Sequence, residues 1–170
     1  QVDKSTIKNW IFLLEATYIL KIVRPFHRNL RSELIKNPKV FFIDTGLMHL
    51  LSLKTFPKVI TGSSFETSFF SELLKNRHAM NFWRTTNKQE IDFILKTQKE
   101  LLAIETKLNF QQTINKSFFF FKEKYTSKNI IISLYGNKDT PEKKYPWEAM
   151  KELEHYKENY SEDKTKNLPN

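Results

Sequence analysis

Apolar and polar positions alternate along this chain with two periods, and the switches between them mark out its elements. After Ser5, a residue suited to capping a helix, apolar side chains recur at Ile7, Trp10, Ile11, Leu14 and Tyr18, a helical stripe. Tyr18 to Phe26 then reads as a strand ending near Pro25. His27, Arg28, Asn29, Arg31 and Ser32 make a basic, polar turn, and Lys39 to Ile43 is a second apolar strand. Leu47 to Leu53 predicts a short helix, and 56–62 a connection broken by Pro57 and Gly62. Ser64 is placed to cap a helix running to about Arg77, with Phe65, Phe69, Phe70, Leu73 and Leu74 facing inward.

Strand-like runs follow at Asn81–Thr85, Glu90–Leu95 and Leu101–Leu108. They are separated by the polar turns Thr86-Asn87-Lys88 and Thr97-Gln98-Lys99. Ile114 to Tyr125 suits a helix whose Phe118–Phe121 segment is apolar all round and therefore predicted to be buried. Asn129 to Leu134 reads as a buried strand, and Pro146 onward as one short helix at most. Ser161–Asn170 is charged and nearly free of apolar residues, which predicts disorder. Helix, three-stranded meander, helix and strand in that order predict an α/β fold with α/β/α layering. The expected divisions are 1–56, a helix with two strands joined by a basic turn; 57–145, the α/β domain; and 146–170, the tail. The first of these reads as the back half of a winged helix, which would expose apolar surface and so drive dimer contacts or disorder. Opening on Gln1 rather than Met, and entering a helix almost at once, the chain reads as a piece of a longer protein.

Composition narrows the function. The 170 residues include fifteen Phe and no Cys, so disulfides, thiol nucleophiles and zinc–thiolate sites are excluded. Absent cysteine fits a cytoplasmic protein. No apolar run approaches the roughly 18 residues of a membrane span, so no membrane partner is expected. The formal charge is +9 and uneven. Residues 1–56 carry +5, residues 57–145 carry +6 and the last 25 carry −2. A basic body favours a polyanion such as nucleic acid. Arg24, Arg28, Arg31, Lys36 and Lys39 around the basic turn are candidates for gripping a phosphate backbone. Arg84 is another, unless it pairs across the turn with Glu90, which is the favoured reading.

Candidate chemistry concentrates in two strands. Glu105 and Lys107 sit two apart and so share a face, and the connecting turn brings Asp92 beside them. Two carboxylates and an ammonium in one pocket suit metal-assisted phosphodiester cleavage. The bland alternative is surface charge with a weak ion pair. Against it, each acid is embedded in apolar sequence, where a charge requires a partner. Asp44-Thr45-Gly46 mimics an aspartic-protease triplet, but it occurs once and reads as a helix cap. His27, His49, His78 and His155 show no metal-ligand spacing.

Asp92, twelve intervening residues and Glu105-Thr106-Lys107 resemble the D…(D/E)xK signature of PD-(D/E)XK nucleases. Those enzymes often add a glutamate from the preceding helix, and Glu66 falls where it would. A wider pattern comprises Thr6–Glu15, Lys39–Leu47, Gly62–Glu66, Trp83-Arg84-Thr85, Glu90–Phe93 and Ile104–Lys107. It resembles the C-terminal region of a large family of prokaryotic AAA-type P-loop ATPases, long labelled a domain of unknown function. The resemblance implies a restriction-endonuclease-like core behind a winged helix, with the ATPase upstream. It implies a magnesium- or manganese-dependent DNA endonuclease with Asp92, Glu105 and Glu66 as metal ligands and Lys107 assisting the attacking water. A non-catalytic DNA-binding or interaction module attached to the ATPase is the alternative. Glycine occurs only at Gly46, Gly62 and Gly136, so no phosphate-binding loop of the P-loop type exists and no nucleotide site is expected.

Overall fold

A computed structural model describes residues 2–26, 37–53, 57–87, 89–112 and 116–165. The chain divides into two compact units, Gln1–Phe82 and Trp83–Asn170.

The first unit opens with α1 (Lys4–Ala16), capped by Asp3 rather than Ser5. The Asp3 carboxylate accepts the Ser5 N–H at 3.0 Å, so the cap is the residue two before the expected one. Tyr18 takes a left-handed conformation, φ 58°, which reverses the chain after the helix and delays the strand. Accordingly β1 (Leu20–Val23) is shorter than the apolar run suggested. It pairs antiparallel with β2 (Lys39–Phe42), Leu20 opposite Phe42. Pro25 makes an isolated bridge to Phe82. The turn carrying Arg28, Arg31 and Lys36 lies outside the described residues. Next comes α2 (Thr45–Leu53), where the Asp44 carboxylate accepts the Leu47 N–H at 2.7 Å. The Asp-Thr-Gly triplet is thus a helix start.

Thr61, not Ser64, caps α3 (Gly62–Lys75); its Oγ1 accepts the Ser64 N–H. In both α1 and α3 several cap-forming residues stand together, and local sequence does not rank them. Phe65, Phe69, Phe70 and Leu73 of α3 are buried as expected, and Phe70 stacks on Phe41 at 4.5 Å. By contrast, α1 buries no residue, and Trp10, Phe12 and Leu13 are exposed.

The second unit is a mixed α/β domain. Its sheet has the order β3-β4-β5-β6-β7, with β3 (Met80–Arg84) entering it at the boundary between units. Antiparallel pairing joins β4 (Glu90–Lys96) to β5 (Leu101–Asn109), and parallel pairing joins β5 to β6 (Ser127–Tyr135). A short strand that periodicity missed, β7 (Lys143–Lys144), pairs parallel with β6; two residues are too few to show a period. Leu102, Ala103, Ile104, Ile130 and Ile132 are fully buried, which is why these strands lack alternation.

Only Ser117–Lys122 of the expected 114–125 helix is helical among the described residues; it is α4. Its four phenylalanines are not all buried. Phe121 is enclosed by Trp83 and Tyr125, whereas Phe119 is 64% exposed and Phe120 partly so. A helix of under two turns can press only one side on the sheet, so the all-round apolar segment leaves rings in water. The final helix, α5 (Pro146–Thr165), is far longer than expected and continues through Ser161–Thr165, where disorder was predicted. Ala149 and Leu153, four apart, are fully buried and anchor its first turns.

Candidate active site

The β4–β5 ladder runs from Lys96–Leu101 to Phe93–Ile104 and stops there. Asp92 and Glu105 are the next residues. Where a further ladder bond would fall, the Asp92 carboxylate takes its place. Thr106 donates from both its backbone N–H and its hydroxyl to Asp92 Oδ2, each at 2.8 Å. One carboxylate oxygen therefore satisfies a strand N–H that leaving the ladder would otherwise orphan.

On β5 the predicted pairing is present. Lys107 donates from Nζ to Glu105 Oε1 at 2.6 Å. The glutamate side chain is 5% exposed and the lysine 22%. A carboxyl buried this deeply needs a cation or strong donors, because removing a charge from water is costly. The surface ion pair and the catalytic cluster thus share one geometry. Neighbouring β6 sets Ile131 beside Glu105 and Ser133 beside Lys107, so the charges lie against a largely apolar strand.

The other candidates have local partners. Glu66, on α3 in the first unit, is held by Lys39 at 2.9 Å, and both are mostly buried. A candidate metal ligand and a candidate phosphate-gripping lysine therefore meet each other. Lys39 also lies over the rings of Phe41 and Phe82, 5.8 and 5.5 Å from their centroids. Arg24 is exposed, and its backbone carbonyl accepts from Phe82 N–H and Asn81 Nδ2. Arg84 pairs with Glu90 across the β3–β4 turn, as favoured from sequence.

Among the described residues, no three Asp, Glu or His side chains are grouped to hold a metal ion. Asp92 and Glu105, on neighbouring strands, are each hard-oxygen ligands of the kind a divalent cation takes. Magnesium is commonly held through one or two carboxylates, with water and substrate phosphate completing its shell. Thr106 was missed by sequence reasoning. It fills the variable position of the motif, and nothing in the spacing of the acids marks a hydroxyl there.

The fold and these residues thus define a mixed α/β domain with two acids and a lysine on neighbouring strands. Residues 61–161 match the model of a domain of unknown function, DUF4143, over more than half the chain, and the chain belongs to that family. Residues 1–58 match a second domain of unknown function, DUF8612. The chain is similar to uncharacterized proteins of Mycobacterium bovis and Mycobacterium tuberculosis. Each is 24% identical over 125 residues, covering 68% of this chain and 28% of the relative. The chain therefore spans under a third of the length of the curated relatives it matches. No solved structure matches it.

Proposed function

We propose that this chain carries a magnesium- or manganese-dependent nuclease domain of the PD-(D/E)XK type that hydrolyses phosphodiester bonds in DNA. The observation that supports it is the buried Lys107–Glu105 ion pair on β5, one strand from Asp92, which Thr106 holds where the β4–β5 ladder ends. In this reading Asp92 and Glu105 offer hard oxygens to the cation, which when bound withdraws charge from the scissile phosphate. Thr106 fixes the Asp92 carboxylate. Lys107, held by Glu105, orients the attacking water and offsets charge building on the phosphate. Water adds across the P–O bond, leaving a phosphate monoester and a hydroxyl. Glu66, a third ligand by resemblance, is held by Lys39 within the first unit. By resemblance, the domain follows a winged helix and an AAA-type ATPase in a longer protein that works inside the cell.

A second reading is a non-catalytic nucleic-acid-binding or interaction module of the same ATPase. The exposed apolar face of α1 favours it, since such a face suits a partner or a second copy of the chain.

The deciding experiment incubates supercoiled plasmid and single-stranded DNA with magnesium or manganese and compares the parent with Lys107→Ala and Asp92→Asn. Lys107→Ala leaves the Glu105 carboxyl buried without its lysine, at a cost of about 3 kcal/mol. Circular dichroism therefore accompanies every digest. Cleavage by the parent that both folded variants lose supports the nuclease. No cleavage by any of them, with DNA binding retained, favours the module.

A further inference from the structure

A second cluster in the same unit holds aromatic rings and lysines. The loop after β6 turns at Gly136, which has φ +90°. A Cβ there would meet Asn109 Oδ1 at 2.5 Å, so glycine is required and the loop is pressed against the end of β5. The Tyr145 hydroxyl donates to the Gly136 carbonyl at 2.8 Å. The Tyr145 ring meets Phe110 edge-on at 5.5 Å and stacks on Trp147 at 4.9 Å with 12° between planes. Lys138 lies 5.1 Å from the Tyr145 ring centroid, and Lys143 lies 5.8 Å from that of Phe110. Lys138 is also paired with Glu148, and Lys143 with Asp139. One residue stands out: Trp147 is 65% exposed although its neighbour's ring is fixed.

Strand register places this cluster beside the acidic site. Lys107 pairs with Ser133 on β6. Ile131 pairs with Lys143 and Ile132 with Lys144 on β7, so Tyr145 follows at the level of Ser133. Two strand spacings separate the Lys107 and Tyr145 backbones, about 10 Å. Both lie toward the carboxyl ends of parallel strands, where open α/β sheets commonly take ligands.

We propose that Trp147, backed by Tyr145, is a stacking platform for an unpaired base of single-stranded nucleic acid whose backbone runs past Lys107. A face of the Trp147 ring in water, held by a second ring behind it, can take a base with little loss of side-chain entropy. The chain's +9 charge favours the polyanion. A base inside a duplex is already stacked on both faces, so the platform selects for an unpaired strand. The proposal deepens the nuclease reading by naming its substrate, but its test is binding rather than cleavage.

The test measures fluorescence anisotropy of a labelled oligothymidylate and of a duplex of equal length. The proteins are the full chain and its Trp147→Ala, Trp147→Phe and Lys107→Ala variants. The expected result is tighter binding of the single strand by the parent. Trp147→Ala should weaken that binding about tenfold, with Trp147→Phe keeping most of it. Equal single-strand affinity for the parent and Trp147→Ala overturns the proposal. Preference for the duplex, or no binding of either probe, does so too. Trp147-dependent binding in a chain that cuts nothing sinks the nuclease reading and leaves the platform standing. Cleavage that needs Lys107 without any Trp147 dependence does the reverse.

Discussion

At the scale of single residues, three strand positions, Asp92, Glu105 and Lys107, carry the candidate site, and Thr106 supports it. Alternation along a strand was enough to put Glu105 and Lys107 together, and they meet at 2.6 Å. Thr106 could not be foreseen, because its role depends on the ladder ending two residues early. Replacing Thr106 with Val removes one donor to Asp92 and keeps the β-branched shape. The expected cost is about 2 kcal/mol in urea unfolding. If Asp92 is a metal ligand, manganese affinity followed by electron paramagnetic resonance should fall at least about tenfold in the same variant. Thr106→Ser should recover most of both. Unchanged manganese affinity in a folded Thr106→Val protein would confine Thr106 to a structural role.

At the scale of elements, the fine positions of caps, turns and ends follow from geometry that propensity does not see. Gly136 is an example. A methyl group there must adopt φ +90° and displace Asn109, so Gly136→Ala should cost about 2 kcal/mol. For a chain of this size that lowers the melting temperature by roughly 4–8 °C in calorimetry. The docking of α5 has a comparable origin. Its Glu152 lies 2.8 Å from both Lys128 on β6 and Lys144 on β7, a tie across the sheet that periodicity within the helix does not reveal. Burial pushes the Glu152 carboxyl up, but hydrogen bonds from the two lysines outweigh it and hold the group below its ordinary 4.5. A carboxyl lowered in the folded state adds stability above that ordinary value and loses it as pH falls through the folded one. Urea midpoints measured from neutral pH into the acid range should therefore decline for the parent. Glu152→Gln should begin lower at neutral pH and decline less.

At the scale of the whole molecule, charge is the property with the clearest consequence. A basic chain that binds nucleic acid through its phosphates releases counterions as it does so. The affinity for the labelled single strand should fall steeply and log-linearly between low and physiological salt, whereas the contribution of Trp147 should change little. A flat salt response would argue that the basic surface serves solubility. Charge alone was nonetheless a poor guide to individual contacts. Lys39 and Arg84, both reasonable phosphate ligands by sequence, are occupied by Glu66 and Glu90.

What the amino-acid order determined by itself was the succession of helices and strands, the buried apolar strands and the placing of Asp92, Glu105 and Lys107 on adjacent strands. Those features depend on side-chain period and short turns, which are local. The tertiary structure alone decided that Asp92 leans on Thr106, that Glu66 is held by Lys39 and that Phe119 stays in water. It also decided that β7 closes the sheet and carries Tyr145 to the level of Lys107. Each of these joins positions distant in sequence or depends on where pairing stops, and no local pattern of residues encodes either.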